Sequence, residues 1–228
     1  MIDIQNLYKY YPTALGRKYV FKDLSIKIPE MCNVGVLGLN GSGKSTLINL
    51  LSGSDQPNSG SIKINGSVSW PLGLSGGTQP RLTGRQNAEF VCRIYCSSRK
   101  EIQSKLEFIK DFSDIEDFFE LPVRTYSSGM KSKLTFAMSM AFNFDIYLID
   151  ELTAVGDAQF RKKSQEALRA KRNEAYYIMV SHNVNDLIKD CDQMIVLHKG
   201  EVTLFEDVNR GLEYYKEKIK VKEKEPAQ

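Results

Sequence analysis

The chain has 228 residues, 42% of them hydrophobic and 26% charged, with 31 basic and 28 acidic side chains for a net charge of +3. The apolar share is that of a folded soluble domain and excludes disorder as the main state. So even a charge balance gives no footing for nucleic-acid binding, and the four cysteines are too sparse for a disulfide scaffold.

In chain order, Ile2 to Leu7 and Val20 to Ile28 read as strands, the second with alternating apolar residues. Asn33 to Leu39 is a short apolar run entering a glycine-rich loop, and Ser45 to Leu51 reads as a helix. Turn residues from Gly53 to Gly66 bracket a short strand at Ser61 to Ile64, as in a hairpin. Within the stretch Ser67 to Gly84, Ser69 to Gly77 reads as a loop. Thr83 and Ser98 cap two successive helices, and a third runs from about Met130 to Phe142. Ile146 to Ile149, Tyr176 to Val180 and Ile195 to Leu197 have the apolar character of buried parallel strands. Phe160 to Arg172 and Val184 to Ile188 read as the helices between them. Gly211 onward predicts a charged helix. His198, beside Lys199-Gly200, is assigned to a surface turn. Alternating strands and helices make an α/β domain with a mostly helical insertion.

Two further features bear on location. The first residues lack the basic and apolar regions of a leader, so none is expected. The stretch from Leu134 to Ile149 contains Thr135, Ser139, Asn143 and Asp145 and falls short of the ~18–20 apolar residues of a membrane span. A reduced, soluble protein is expected, meeting a membrane only through a partner.

Gly38-Leu39-Asn40-Gly41-Ser42-Gly43-Lys44-Ser45 matches G-x-x-x-x-G-K-[ST] at every fixed position. In such a loop the glycines let backbone N–H groups turn inward onto phosphate oxygens, and the helix that follows adds its positive end. Lys44 can reach the β- and γ-phosphates, and the Ser45 hydroxyl can hold Mg²⁺. Gly38, Asn40, Gly41, Gly43, Lys44, Ser45 and Thr46 are therefore the phosphate-side candidates for binding ATP. Ile146-Tyr147-Leu148-Ile149-Asp150-Glu151 ends a strand in two carboxylates, at the edge where α/β sheets bind ligands. Asp150 is placed for the Mg²⁺ shell, and Glu151 is the candidate base for the attacking water. Ser127 and Gly129, at the start of a helix, can form a second anion site, although a Ser-Ser-Gly turn is also an ordinary helix cap.

Tyr126-Ser127-Ser128-Gly129-Met130 resembles the signature motif of ATP-binding cassette (ABC) ATPases, and the other motifs follow that family's order across nearly the whole chain. Leu152-Thr153-Ala154-Val155-Gly156-Asp157 resembles its D-loop, and His182, after Val180-Ser181, stands at its switch-histidine position. The resemblance implies a P-loop ATPase fold with a parallel core sheet, an antiparallel β subdomain and a helical subdomain. The boundaries it suggests are a core over 1–70 and 143–210, a helical part over 71–142 and a charged helix over 211–228. It further implies Mg²⁺-ATP hydrolysis by a head-to-tail homodimer, in which Ser127 and Gly129 complete the phosphate loop of the other copy, with Asp157, at the acidic position of the D-loop, among the ATP-binding residues. By the same resemblance His182 contacts the γ-phosphate, and Tyr11 stacks on adenine, with Tyr8, Tyr10 and Tyr19 as rivals. A separate transmembrane permease would be the partner, at the cytoplasmic face of the inner membrane.

One departure is specific. The family's usual glutamine, about nine residues before a Leu-Thr pair, would fall near Leu74; Gln79 is the nearest glutamine and the weak candidate for the Mg²⁺ and water contact. The stretch Trp70 to Gly77, followed by Leu82-Thr83-Gly84-Arg85-Gln86-Asn87, instead resembles ATPases of bacterial polysaccharide export. The segment after Lys199-Gly200 is short, so the carbohydrate-binding domain that O-antigen exporters often append is not expected, which favours the capsule type by resemblance. Related exporters of O-antigen or teichoic acid are the alternative, followed by soluble non-transport ABC proteins. Cys92 and Cys96 are read as buried thiols rather than a metal pair.

Overall fold

The computed structural model describes residues 1–72, 78–150, 156–171, 174–181 and 183–224. It divides into two compact units, one formed by 1–71, 145–150 and 175–228, the other by 72–144 and 151–174.

The first unit contains two sheets. The smaller is antiparallel and three-stranded, in the order β2-β1-β4, from β1 (Ile2–Thr13), β2 (Gly16–Ile28) and β4 (Ser59–Ile64). The larger has the order β5-β6-β3-β7-β8, from β3 (Val34–Gly38), β5 (Ile146–Asp150), β6 (Tyr176–Val180), β7 (Gln193–His198) and β8 (Glu201–Phe205). Its first four strands are parallel and β8 is antiparallel to β7. β3, β5 and β6 are buried at every position, as strands covered on both faces must be. Ile2, Phe21, Val36, Ile48, Leu148 and Ile178 share one core, each at most 1% exposed. Helices α1 (Lys44–Leu51), α6 (Val184–Asp190) and α7 (Val208–Lys224) complete this unit.

Two expectations change here. The strand after α1 forms no hairpin with a sequence neighbour: β4 pairs with β1, Ile2 opposite Ile64 and Ile4 opposite Ile62. Turn residues mark where a chain reverses; the apolar face of Ile62 and Ile64, packed on the core, decides what the strand meets. His198 is the last residue of β7, opposite Glu201. Lys199 and Gly200 have φ of 48° and 86°, the positive pair that a two-residue hairpin needs, so β8 follows where no strand was read. β8 begins with a glutamate and is nowhere fully buried, which weakens its pattern in the sequence.

The second unit is helical, with α2 (Gly84–Tyr95), α3 (Arg99–Ser113), α4 (Ser128–Met140) and α5 (Ala158–Ala170). Thr83 and Gln86 form a capping box, each side chain accepting from the other's backbone N–H at 3.1 and 3.0 Å. Ser98 caps α3, its hydroxyl accepting from Glu101 N–H at 3.2 Å. Phe112, Phe136 and Phe160 bring α3, α4 and α5 together, with ring centroids 5.9–6.0 Å apart. Among the described residues no helix is long and apolar enough to cross a membrane.

Because Ile178 sits fully buried in the strand between β5 and β3, Ile178→Ala is expected to cost about 2–5 kcal/mol. Urea unfolding measures this, and a loss below about 1 kcal/mol would contradict the burial.

Candidate functional site

The phosphate-type loop joins β3 to α1. Its turn is built by Gly41 and Gly43, with φ of 79° and 106°, values that L side chains resist. A Cβ on Gly43 would lie 2.7 Å from Val20 Cγ1 and 3.0 Å from Phe21 Cζ, and one on Gly38 would lie 2.5 Å from Ser42 Oγ. Strand β2 thus backs the loop and leaves room for glycine alone. Ser42 N–H closes the turn onto Leu39 O at 3.1 Å. The Lys44 ammonium, in a residue only 9% exposed, donates to Gly38 O at 2.8 Å and Leu39 O at 3.1 Å.

Helix α1 has no side-chain cap, whereas α2 to α6 are capped by Thr83, Ser98, Ser127, Asp157 and Asn183. The first N–H groups of a helix need an acceptor, and an anion is the natural one. Ser42 Oγ is buried without a hydrogen-bond partner among the described residues. A loop with a buried ammonium, an uncapped helix start and an orphaned hydroxyl fits a polyphosphate. A cavity of about 300 Å³ adjoins it, lined in part by Lys18, Tyr19, Asn40, Ser42 and His198.

Ser45 is exposed and Thr46 half-buried on the first turn of α1. Asp150, 9% exposed, ends β5. As β3 and β5 are parallel members of one sheet, Gly38 and Asp150 lie at the same edge, and α1 packs against both strands. A hydroxyl and a carboxylate at one edge are hard oxygen donors suited to Mg²⁺. Glu151 and His182 lie outside the described residues, as does Leu74.

Tyr11 is in β1, 39% exposed, its hydroxyl donating to Asp55 Oδ2 at 2.7 Å. Burial and that carboxylate push its pKa above the ordinary phenol value. Of its rivals, Tyr10 and Tyr19 face each other across the β1–β2 pair, with ring centroids 5.2 Å apart and Arg17 and Lys22 over their rings.

The second unit brings together the other group of candidates. Ser127 caps α4, its hydroxyl accepting from Met130 N–H at 3.2 Å. A Cβ on Gly129 would lie 3.8 Å from Gly156 Cα, so the α4 start adjoins the turn that carries Asp157. Asp157 caps α5 through Phe160 N–H at 2.9 Å and pairs with Lys133 at 2.8 Å. Those contacts, Lys133 first, lower its pKa to about 2. Gln79 is exposed; its backbone N–H donates to Asn87 Oδ1 at 2.7 Å, and its carbonyl accepts from Asn87 Nδ2 at 3.1 Å. Buried Asn87 also donates to Thr83 O at 2.9 Å. Sequence reasoning did not single out this clamp. A polar residue on the inward side of α2, one turn after its cap, was the available signal.

Comparison with known proteins follows the same lines. The ABC transporter family model matches residues 21–154. The polysialic acid transport ATP-binding protein KpsT of Escherichia coli is 46% identical over 95% of this chain and 96% of its own. The capsule polysaccharide export ATP-binding protein CtrD of Neisseria meningitidis is 44% identical over 94% and 98%. Among solved structures, the dimeric post-hydrolysis state of the ATP-binding cassette MJ0796 bound to ADP and Pi superposes with a TM-score of 0.78, covering 90% of this chain and 98% of that one at 22% identity. That likeness establishes the fold.

The Asp157 pairing has a pH signature. Its folded-state pKa lies below the usual ~3.9, so its contribution to stability is present above about pH 4 and is lost as pH falls through about 2. A carboxyl NMR titration should place its midpoint near 2, and Asp157→Asn should remove the matching part of the acid-stability curve. A midpoint at or above 4 would mean that the Lys133 contact does not persist in solution.

Proposed function

The chain belongs to the ABC transporter family, and on that premise we propose that it is the ATP-hydrolysing subunit of a bacterial capsular polysaccharide exporter. It is an ATPase. We place it at the cytoplasmic face of the inner membrane, peripheral, as a head-to-tail homodimer on a separate transmembrane permease. The observation that carries the substrate class is the match, over 94–95% of this chain, to two glycan-export ATPases.

In this reading the backbone N–H groups of the Gly38–Ser45 loop and the start of α1 take the phosphates of ATP, with Asn40 and Thr46 beside them. Lys44 exchanges the Gly38 and Leu39 carbonyls for the β- and γ-phosphates. Ser45 and Asp150 would hold Mg²⁺, and Gln79 is the weaker third candidate. When bound, the ion offsets charge on the β- and γ-oxygens. Tyr11 receives the adenine. Glu151 takes a proton from the water that adds to the γ-phosphorus as the β–γ bridging P–O bond breaks, releasing ADP and phosphate. His182 contacts the γ-phosphate. Ser127, Gly129 and Asp157 of one copy close on the loop of the other.

A tagged pull-down from native membranes in mild detergent tests the assignment. It should recover a multi-span membrane protein; recovery of ribosomal or DNA-repair proteins alone would overturn the transporter reading. Glu151→Gln should keep ATP binding, lose ~10²–10⁴ in rate, and dimerise with ATP and Mg²⁺ by light scattering. Wild-type hydrolysis by that variant would remove Glu151 from the mechanism, and a monomer under saturating ATP would overturn the shared site.

A further inference from the structure

Lys9 is a buried lysine in β1, the central strand of the antiparallel sheet, and its side chain is only 6% exposed. Burying an ammonium is costly unless it is paired and hydrogen-bonded. Here it donates to Asp55 Oδ1 at 2.5 Å and to Gln56 O at 2.8 Å. The other Asp55 oxygen accepts the Tyr11 hydroxyl, and Lys9 Nζ stands 4.7 Å from the centroid of the Tyr11 ring. Three groups thus form one closed arrangement: the carboxylate bridges ammonium and phenol, and the ammonium covers one face of the phenol ring.

The anchor point matters. Asp55 lies just beyond α1, its N–H bonded to Asn49 O of that helix at 3.1 Å. The neighbouring Asn58 is laced to β1 twice, through its N–H to Tyr8 O at 2.8 Å and its Oδ1 from Tyr10 N–H at 2.7 Å. Tyr11 is therefore tied, through Asp55, to the last turn of the helix that begins at the phosphate loop.

We propose that Lys9 and Asp55 are positioning residues for the nucleotide base: they fix the Tyr11 ring relative to α1, so that the distance from base to phosphates is set before ATP arrives. This rests on the reading of Tyr11 as the adenine-side aromatic. With one ring face taken by the Lys9 ammonium, a base is offered the opposite face. The cation also polarises the ring on which that base stacks. Pre-organisation of this kind acts on affinity, because the ordering is complete in the free protein.

Calorimetry on the full chain tests this with ATP and, as a probe of the phosphate loop alone, inorganic tripolyphosphate. Asp55→Asn and Tyr11→Phe, which keeps the ring and removes its tether, should each weaken ATP about tenfold. Tripolyphosphate affinity and the saturated hydrolysis rate of Asp55→Asn should stay at wild type. In a Tyr11→Ala background, Asp55→Asn should add no further loss. Should Asp55→Asn fail to fold, Tyr11→Phe carries the same comparison. The proposal is overturned if Tyr11→Ala weakens ATP while Asp55→Asn and Tyr11→Phe do not. It is equally overturned if Asp55→Asn weakens tripolyphosphate as much as ATP, which is the mark of a purely structural pair. If Tyr11→Ala leaves ATP affinity unchanged, the assignment of Tyr11 itself fails and the positioning role goes with it.

Discussion

A helix start without a side-chain cap is the constraint on which the first unit is organised. Every other helix from α2 to α6 spends a hydroxyl, carboxylate or amide on its first N–H groups; α1 spends none. Its cap position is Gly43 at φ 106°, a conformation with no side chain to offer. The chain accepts that deficit because a left-handed glycine turns the loop back toward the helix axis and aims its N–H groups at one point. Val20 and Phe21 press on Gly43 from β2, so the antiparallel sheet serves as the floor of the loop. The buried Lys44 ammonium meanwhile rests on carbonyls of the same loop. The resting arrangement is thus a positive, donor-rich hollow that a polyphosphate relieves.

The contrast with α4 is informative. There Ser127 already accepts Met130 N–H, so one donor of that helix start is satisfied by the protein itself. An anion arriving at α4 would find the serine O–H and the N–H near Gly129, a weaker site than the α1 start with its lysine. One strong and one weak anion site is the asymmetry expected if the α4 start closes on a phosphate already held by another loop. Asp157 adds stiffness where this closure is proposed, because its pairing with Lys133 ties α5 to α4 next to Gly129.

Much of this was legible in the residues. Elements with strong periodicity or fully apolar runs were placed within a few residues: Thr83 and Ser98 cap the helices expected of them, and β5 and β6 are buried throughout. The phosphate loop was readable because each fixed residue has a separate physical task. Pairing partners were not. β4 carries its apolar residues in a pattern that suits any antiparallel edge, and only the tertiary core selects β1. β8 was missed because a half-buried edge strand leaves little pattern, although Lys199-Gly200 holds a hairpin turn. The partners of Asn87 and Asp55 were unreadable for a common reason. Each residue satisfies groups distant in sequence or belonging to the backbone, and neither kind of partner leaves a spacing to find.

Lys9 shows how such a partner changes the meaning of a residue. In the sequence it stands among Tyr8, Tyr10 and Tyr11, and nothing in that run singles it out. In the fold it is buried, because the turn after α1 brings a carboxylate and a carbonyl to it. Exposed ion pairs contribute little to stability, and a buried pair often only offsets its own desolvation. Stability alone is therefore a weak reason for placing this pair next to an aromatic ring. Orientation is a stronger one: a carboxylate with one oxygen on a buried ammonium and the other on a phenol leaves the ring little angular freedom. The same helix then fixes the aromatic through its last turn and the phosphates through its first, and its length becomes the ruler between them.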